Sequence, residues 1–222
     1  MVSRNYLLRR GFAPAAWFAA AALSTLALGA TAEAGPTLFD TIELPSNQLS
    51  IFPKWTGVLE RYLEQSRLPE GDCTETTFTR CHLREWSAFL ETLRGAPQNE
   101  ALQAVNDYLN EARYIEDIVN YGVIDYWATP KEFLENDGDC EDYSIAKFLS
   151  LRTLGFPNDS LRIVVLQDLN LGIAHAVLAV YLNEGIMILD NQVDAIVPAE
   201  RIHHYQPYYS INETLWWLHA PL

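Results

Sequence analysis

The sequence predicts an α+β fold, a helical half followed by an antiparallel sheet, and the hydrophobic pattern carries that expectation. From Ile51 to about Leu154 the apolar residues recur every three or four positions, the period of amphipathic helices. After Ser160 they form short β-branched runs parted by turn residues. Helices that precede strands, rather than alternate with them, argue against a doubly wound α/β sheet. No internal repeat, low-complexity tract or P-loop interrupts this order.

The start of the chain stands apart from the fold. Arg4, Arg9 and Arg10 precede an alanine-rich apolar run from Ala13 to about Ala30, and Ala32-Glu33-Ala34 closes it. A basic start, an apolar middle and a small-residue site predict a secretory signal peptide, residues 1–34, cleaved after Ala34. The alternative, an uncleaved membrane anchor, is disfavoured by the weak hydrophobicity of alanine and by the good cleavage site. Export to the bacterial periplasm is therefore expected, with residues 35–222 as a single domain long enough for a substantial core.

Within that domain, Phe52, Trp55, Leu59, Tyr62 and Leu63 predict a helix over 51–67, and similar spacing predicts helices over 84–94 and 100–117. Thr129-Pro130-Lys131-Glu132 combines an N-cap, a proline at the first helical position and a glutamate at the third, so a short helix begins there. It is expected to end at the glycine of Asn136-Asp137-Gly138-Asp139. A further helix starts near Cys140 and stops before Gly155-Phe156-Pro157. Runs 162–166, 175–181 and 186–190 read as strands, with Asn183-Glu184-Gly185 turning between the last two.

Charge and cysteine count narrow the function. The chain holds 15 basic and 29 acidic residues, a net charge of −14. The signal segment takes three of the former and one of the latter with it, which leaves the domain at −16. Such a balance repels phosphate backbones, so no nucleic-acid partner is expected. Of three cysteines, Cys73 and Cys81 lie eight apart in a polar stretch and are natural disulfide partners in an oxidising compartment. Cys140 is left as a free thiol, which calls for either burial or a function.

The position of Cys140 favours function. At the first turn of a helix, unpaired backbone N–H groups and the positive end of the dipole stabilise a thiolate. Asp139, Glu141 and Asp142 oppose it unless a cation or an imidazolium offsets them. Among five histidines, His175 opens one strand while Asp190 closes the next. A hairpin about 183–185 makes them diagonal neighbours, about 7–8 Å apart at the backbone, so that the carboxylate reaches the imidazole. A cysteine set against such a pair is an activated nucleophile for acyl transfer. The link from helix to sheet is tertiary, and spacing does not supply it. Singly, each residue also has a plain structural reading: a small core thiol, a hydrogen-bonded strand histidine, a turn-forming aspartate.

The acidic run Asp137-x-Asp139-x-Glu141-Asp142 offers hard oxygen ligands of the kind calcium takes, but it is not an EF-hand. The sixth position from Asp137 is Asp142 rather than glycine, and the twelfth is Phe148 rather than glutamate. A solvated helix start, capped by Asp139 with Asp142 on the favourable end of the dipole, explains the run equally well.

Three blocks taken together resemble a known family. Asp125-Tyr126-Trp127-Ala128-Thr129-Pro130, Gly138-Asp139-Cys140-Glu141-Asp142-Tyr143, and His175-Ala176-Val177-Leu178 with Leu189-Asp190-Asn191 are similar to the bacterial transglutaminase-like cysteine peptidases of the LapG type. The likeness runs from Trp55 to Trp216-Trp217. It implies a papain/transglutaminase-like fold, a catalytic triad of Cys140, His175 and Asp190, and a Ca2+ cofactor held by Asp139, Glu141 and Asp142. It further implies a periplasmic endopeptidase that cuts a large RTX-type adhesin near its N-terminus and so frees cells from a biofilm. An inner-membrane receptor sensing cyclic di-GMP is the implied inhibitory partner. Two other readings stay open: a transglutaminase or cell-wall endopeptidase using the same three residues, and a non-enzymatic calcium-binding module in which Cys140 is a core thiol.

Overall fold

The computed structural model describes residues 37–67 and 82–222, which fall within one compact unit spanning Ala34–Leu222. The expected signal peptide and the Cys73/Cys81 pair lie outside the described residues. In chain order the elements are β1 (Thr41–Ser46), α1 (Pro53–Gln65), α2 (His82–Thr92), α3 (Gln98–Asn110), α4 (Asp117–Asn120), α5 (Pro130–Asn136), α6 (Cys140–Thr153), β2 (Leu161–Asp168), β3 (Ile173–Leu182), β4 (Gly185–Leu189), β5 (Val197–Pro198), β6 (Tyr205–Ile211) and β7 (Trp216–Pro221). The strands form one sheet in the order β1-β7-β6-β2-β3-β4-β5, antiparallel throughout. The expected α+β architecture is therefore the observed one.

Helix α6 is the centre of the molecule. It packs on β2 and β3 on one side and on α3 and α5 on others, and every residue from Asp142 to Leu151 is buried. A helix buried all round has no polar stripe to display, which is why its sequence shows only a weak amphipathic period. Its end is well defined. Gly155 adopts the left-handed conformation at φ +94, and the N–H of Phe156 donates back to Leu151 O at 3.0 Å.

The sheet is covered on both faces. Ile163, Leu178, Val180, Leu189 and Ile211 meet the helices, while Val164, Leu166, Val177, Ala179, Ile186 and Ile188 form a second cluster with Leu38, Ala199 and Tyr205. Strands buried on two sides read as continuous apolar runs, the pattern that β2, β3 and β4 display. Trp55 ties the helical layer to the far end of the sheet. It is fully buried, stands edge-on to Phe148 at 5.5 Å, and donates its indole N–H to Asn212 O at 2.8 Å.

The structure departs from the sequence reading in three places. The helix expected over 100–117 stops at Asn110, because Tyr114 bridges to Gly138 and the Ile115 N–H donates to Gly138 O at 2.9 Å. The chain becomes helical again only at Asp117, the start of α4. The left-handed residue after α5 is Asp137, at φ +62, rather than the neighbouring glycine. Strands β1, β5, β6 and β7 extend the sheet beyond the three that were expected. Prolines at positions 45, 198 and 207 break their strand patterns. Inside β6 the proline is accommodated by a register shift, since Pro207 faces Leu166 and Tyr209 faces Val165.

Trp55→Ala is expected to cost about 3–5 kcal/mol of folding stability, read as a lower urea midpoint at unchanged slope. A cost below about 1 kcal/mol would mean that this ring does not join the two layers.

Candidate active site

The start of α6 places Cys140. The Asp142 side chain accepts from the Asp139 N–H at 3.4 Å with one oxygen and from the Ala128 N–H at 2.7 Å with the other. It thereby joins the helix start to the segment leading into α5. That segment is itself capped as expected: Glu132 N–H donates to Thr129 Oγ1 at 3.3 Å, and Thr129 N–H donates to Glu132 at 2.8 Å. Gly138 is needed for its lack of a side chain, because a Cβ there would lie 2.3 Å from Asp142 Oδ2. Asp137 is held from outside by Arg113, whose guanidinium donates to Asp137 Oδ2 at 2.9 and 2.7 Å. Asp137 thus supports the turn and stands apart from the acidic cluster described below.

The hairpin geometry brings His175 and Asp190 together. Leu178 pairs with Leu189 and Leu182 with Gly185, so Asp190 lies two residues from the position directly opposite His175. His175 Nε2 and Asp190 Oδ1 are 2.9 Å apart, with the residues only 3% and 4% exposed. Tyr205 of β6 donates its hydroxyl to the other oxygen, Oδ2, at 2.6 Å, and the Gln192 N–H adds a bond of 2.9 Å to Oδ1. Burial alone would raise the Asp190 carboxyl, but the bonds from His175, Gln192 and Tyr205 outweigh it and hold the group below the usual range. Tyr205 was not foreseen as a site residue. It lies 15 residues beyond Asp190 on a strand that its sequence does not announce.

Cys140 is half-buried, and the backbone N–H of Ala176 donates toward its sulfur. The nucleophile candidate thus sits beside the residue that follows His175. With Nε2 committed to Asp190, Nδ1 is the imidazole nitrogen left to exchange a proton with a thiol. Burial pushes the thiol up most strongly, followed by the Glu141 carboxylate, whose Oε2 accepts from Sγ at 3.2 Å. The opposition expected from the flanking acids is therefore present, with burial as the larger cause.

Those acids belong to a wider cluster. Ligand atoms of Asp117, Asp139 and Asp142 lie within 4.8 Å of one another, and so do those of Asp117, Asp125 and Glu141. The two groups share Asp117, the first residue of α4, which the sequence reading had not singled out. Asp117 Oδ2 accepts from the Tyr126 N–H. Asp117 Oδ1 and Asp139 Oδ1 are buried without a hydrogen-bond partner among the described residues. Burial lifts Asp117 to about 6, raises Asp139 and Glu141, and holds Asp142 well above the ordinary carboxylate range. Unpartnered buried carboxylate oxygens at this spacing fit a hard divalent cation of calcium's size, whose oxygens lie about 2.4 Å from the ion. The predicted ligands Asp139 and Asp142 fall in the first group and Glu141 in the second, and Asp142 also accepts from two backbone N–H groups.

A cysteine at a helix start and a buried histidine–carboxylate pair on an antiparallel sheet are the groups that thiol-dependent acyl transfer requires. The family model for bacterial transglutaminase-like cysteine proteinases (BTLCP) matches residues 70–219, and the chain belongs to that family. Among solved structures it is similar to Legionella pneumophila LapG at 32% identity, over 72% of this chain and 87% of that one, with a TM-score of 0.59. The calcium-bound form of the same Legionella protein matches at 31% identity over 73% and 86% of the two chains, TM-score 0.58. Its EGTA-treated form matches at 32% identity over 72% and 84%, TM-score 0.59. None of the curated proteins matches the chain.

The crowded acids set a pH dependence. A carboxyl whose folded value lies above its unfolded value near 4 stabilises the fold at low pH, and that contribution is lost as pH rises through the folded value, about 6 for Asp117. In cation-depleted buffer the protein is expected to melt at a lower temperature at pH 8 than at pH 5.5. Asp117→Asn should narrow the gap, and equal melting temperatures for the wild type would show that the cluster carries no such penalty.

Proposed function

We propose that this cysteine peptidase is a calcium-dependent periplasmic endopeptidase, with Cys140 as nucleophile, His175 as general acid–base and Asp190 as the carboxylate that orients the imidazole. The observation that carries the reading is the buried His175–Asp190 hydrogen bond, on a sheet whose strand β3 packs against the helix that begins at Cys140. His175 takes the thiol proton, and Sγ attacks the scissile carbonyl carbon. The oxyanion that forms is served by the Cys140 backbone N–H, unpaired at the first turn. Collapse breaks the C–N bond, and the proton passes from His175 to the departing amine. Water then adds to the thioester while His175 takes its proton, and the acid product leaves with the thiol restored. Tyr205 keeps Asp190 fixed through both halves.

Asp139, Glu141 and Asp142, joined by Asp117 and Asp125, would hold calcium, and Asp142 also braces the loop through the Ala128 N–H. Bound there, the ion supplies positive charge that offsets the acids opposing the thiolate. The sequence blocks shared with LapG-type peptidases support a substrate of the same kind, the N-terminal region of a large RTX-type surface adhesin. Cutting it would release cells from a biofilm, under an inner-membrane receptor that senses cyclic di-GMP.

The test is cleavage of a purified adhesin N-terminal fragment by residues 35–222. Cutting in calcium is expected to disappear in chelator, and Cys140→Ser should lower the rate at least about a thousandfold. Glu141→Ala that kept full, chelator-insensitive activity would remove the metal assignment. Crosslinking with loss of ammonia, in place of new termini, would move the activity to transglutamination.

A further inference from the structure

Residues 38–40, which lead into β1, form a hook with an unusual backbone. Phe39 (φ +50, ψ +42) and Asp40 (φ +54) both take the left-handed conformation. For a bulky residue such as phenylalanine that conformation is strained, and it persists only where the surroundings enforce it. Here they do. Leu38 is fully buried in the second apolar cluster. Its N–H donates to Glu43 Oε1 at 3.3 Å, and Thr41 Oγ1 donates to its carbonyl at 2.8 Å. The threonine hydroxyl has one proton to give, so it accepts from His219 Nδ1 at 2.7 Å, and His219 Nε2 in turn accepts from Ser210 Oγ at 2.8 Å. The hook is thereby fastened to β7 and β6.

What the hook presents is the Phe39 ring. It stands edge-on to Tyr205, with 5.7 Å between centroids and 85° between planes. Tyr205 is the residue whose hydroxyl donates to Asp190 Oδ2 at 2.6 Å. Its other ring contacts among the described residues are His204, the preceding residue, at 4.5 Å and His175 of β3 at 5.8 Å. A cavity of about 510 Å3 adjoins the Tyr205 ring and is lined also by Phe39, Leu169 and Tyr208. The tyrosine therefore has space to swing into, and packing must hold it against Asp190. We propose that Phe39 is a positioning residue, whose ring keeps Tyr205 in the orientation that hydrogen-bonds Asp190 and so keeps the carboxylate set on His175. The inference rests on the reading of Cys140, His175 and Asp190 given above. Phe39 acts through Tyr205, and the strain in the hook is the cost of aiming its ring there.

The rate of Cys140 alkylation by iodoacetamide, with the modified residue identified by peptide mass spectrometry, reads this without a protein substrate. In calcium at pH 7, Phe39→Ala is expected to slow alkylation about fivefold to tenfold, the equivalent of up to one unit in a coupled pKa. Phe39→Tyr, which keeps the ring, should stay within twofold of the wild type. Tyr205→Phe should slow the reaction as well, and adding Phe39→Ala to it should change little further, because without the hydroxyl the orientation of ring 205 no longer bears on Asp190. Phe39→Ala within twofold of the wild type overturns the proposal, and so does a loss as large in Tyr205→Phe as in the wild type, which is what a merely structural role would give. Asp190→Asn within twofold of the wild type overturns instead the assignment of Asp190, which separates the two failures. If Phe39→Ala does not fold, Phe39→Leu, which keeps apolar volume but removes the ring edge, is held to the same criteria.

Discussion

Burial of α6 from Asp142 to Leu151 between the sheet and two helices is the constraint on which the rest of the site depends. A helix enclosed on all sides cannot rotate or slide without opening the core, so the position of its first residue is set by the whole domain. Cys140 inherits that precision. The same burial also withdraws water from four carboxyl groups and the thiol, and so raises the free energy of every charge at the helix start. Positional accuracy and electrostatic stress have one cause. A hard cation among the acids would relieve the stress without loosening the position.

The sheet makes its own contribution through register. A two-residue turn at 183–184 fixes which residues of β3 and β4 face one another, and that alone places an imidazole beside a carboxylate. Everything added to the pair comes from farther along or farther back in the chain. Tyr205 arrives on β6, the Gln192 N–H follows Asp190 by two residues, and Asn110 secures the Asp190 carbonyl from α3. The pair is local, whereas its support is assembled from three separate regions.

That division explains what could be read in advance. Helices α1, α5 and α6 and strands β2, β3 and β4 announce themselves through period and capping, which are local properties. The His175–Asp190 pair was legible for the same reason, since one hairpin determines it. Asp117 and Asp125 were not, because they meet Asp139, Asp142 and Glu141 only after the chain folds back, at no recurring spacing. The strands missed at either end of the sheet carry prolines, which obscure a strand pattern while tertiary pairing sustains the strand itself.

Those prolines matter beyond their effect on pattern. One boundary of the sheet is β5, two residues long and ending at Pro198; the other is β1, interrupted by Pro45. Each boundary therefore lacks the uninterrupted row of donors that another chain needs to continue the ladder. The seven-strand sheet is in this way blunted at both margins, which disfavours the addition of an eighth strand. Growth of the sheet by edge-to-edge pairing is thereby opposed at both ends.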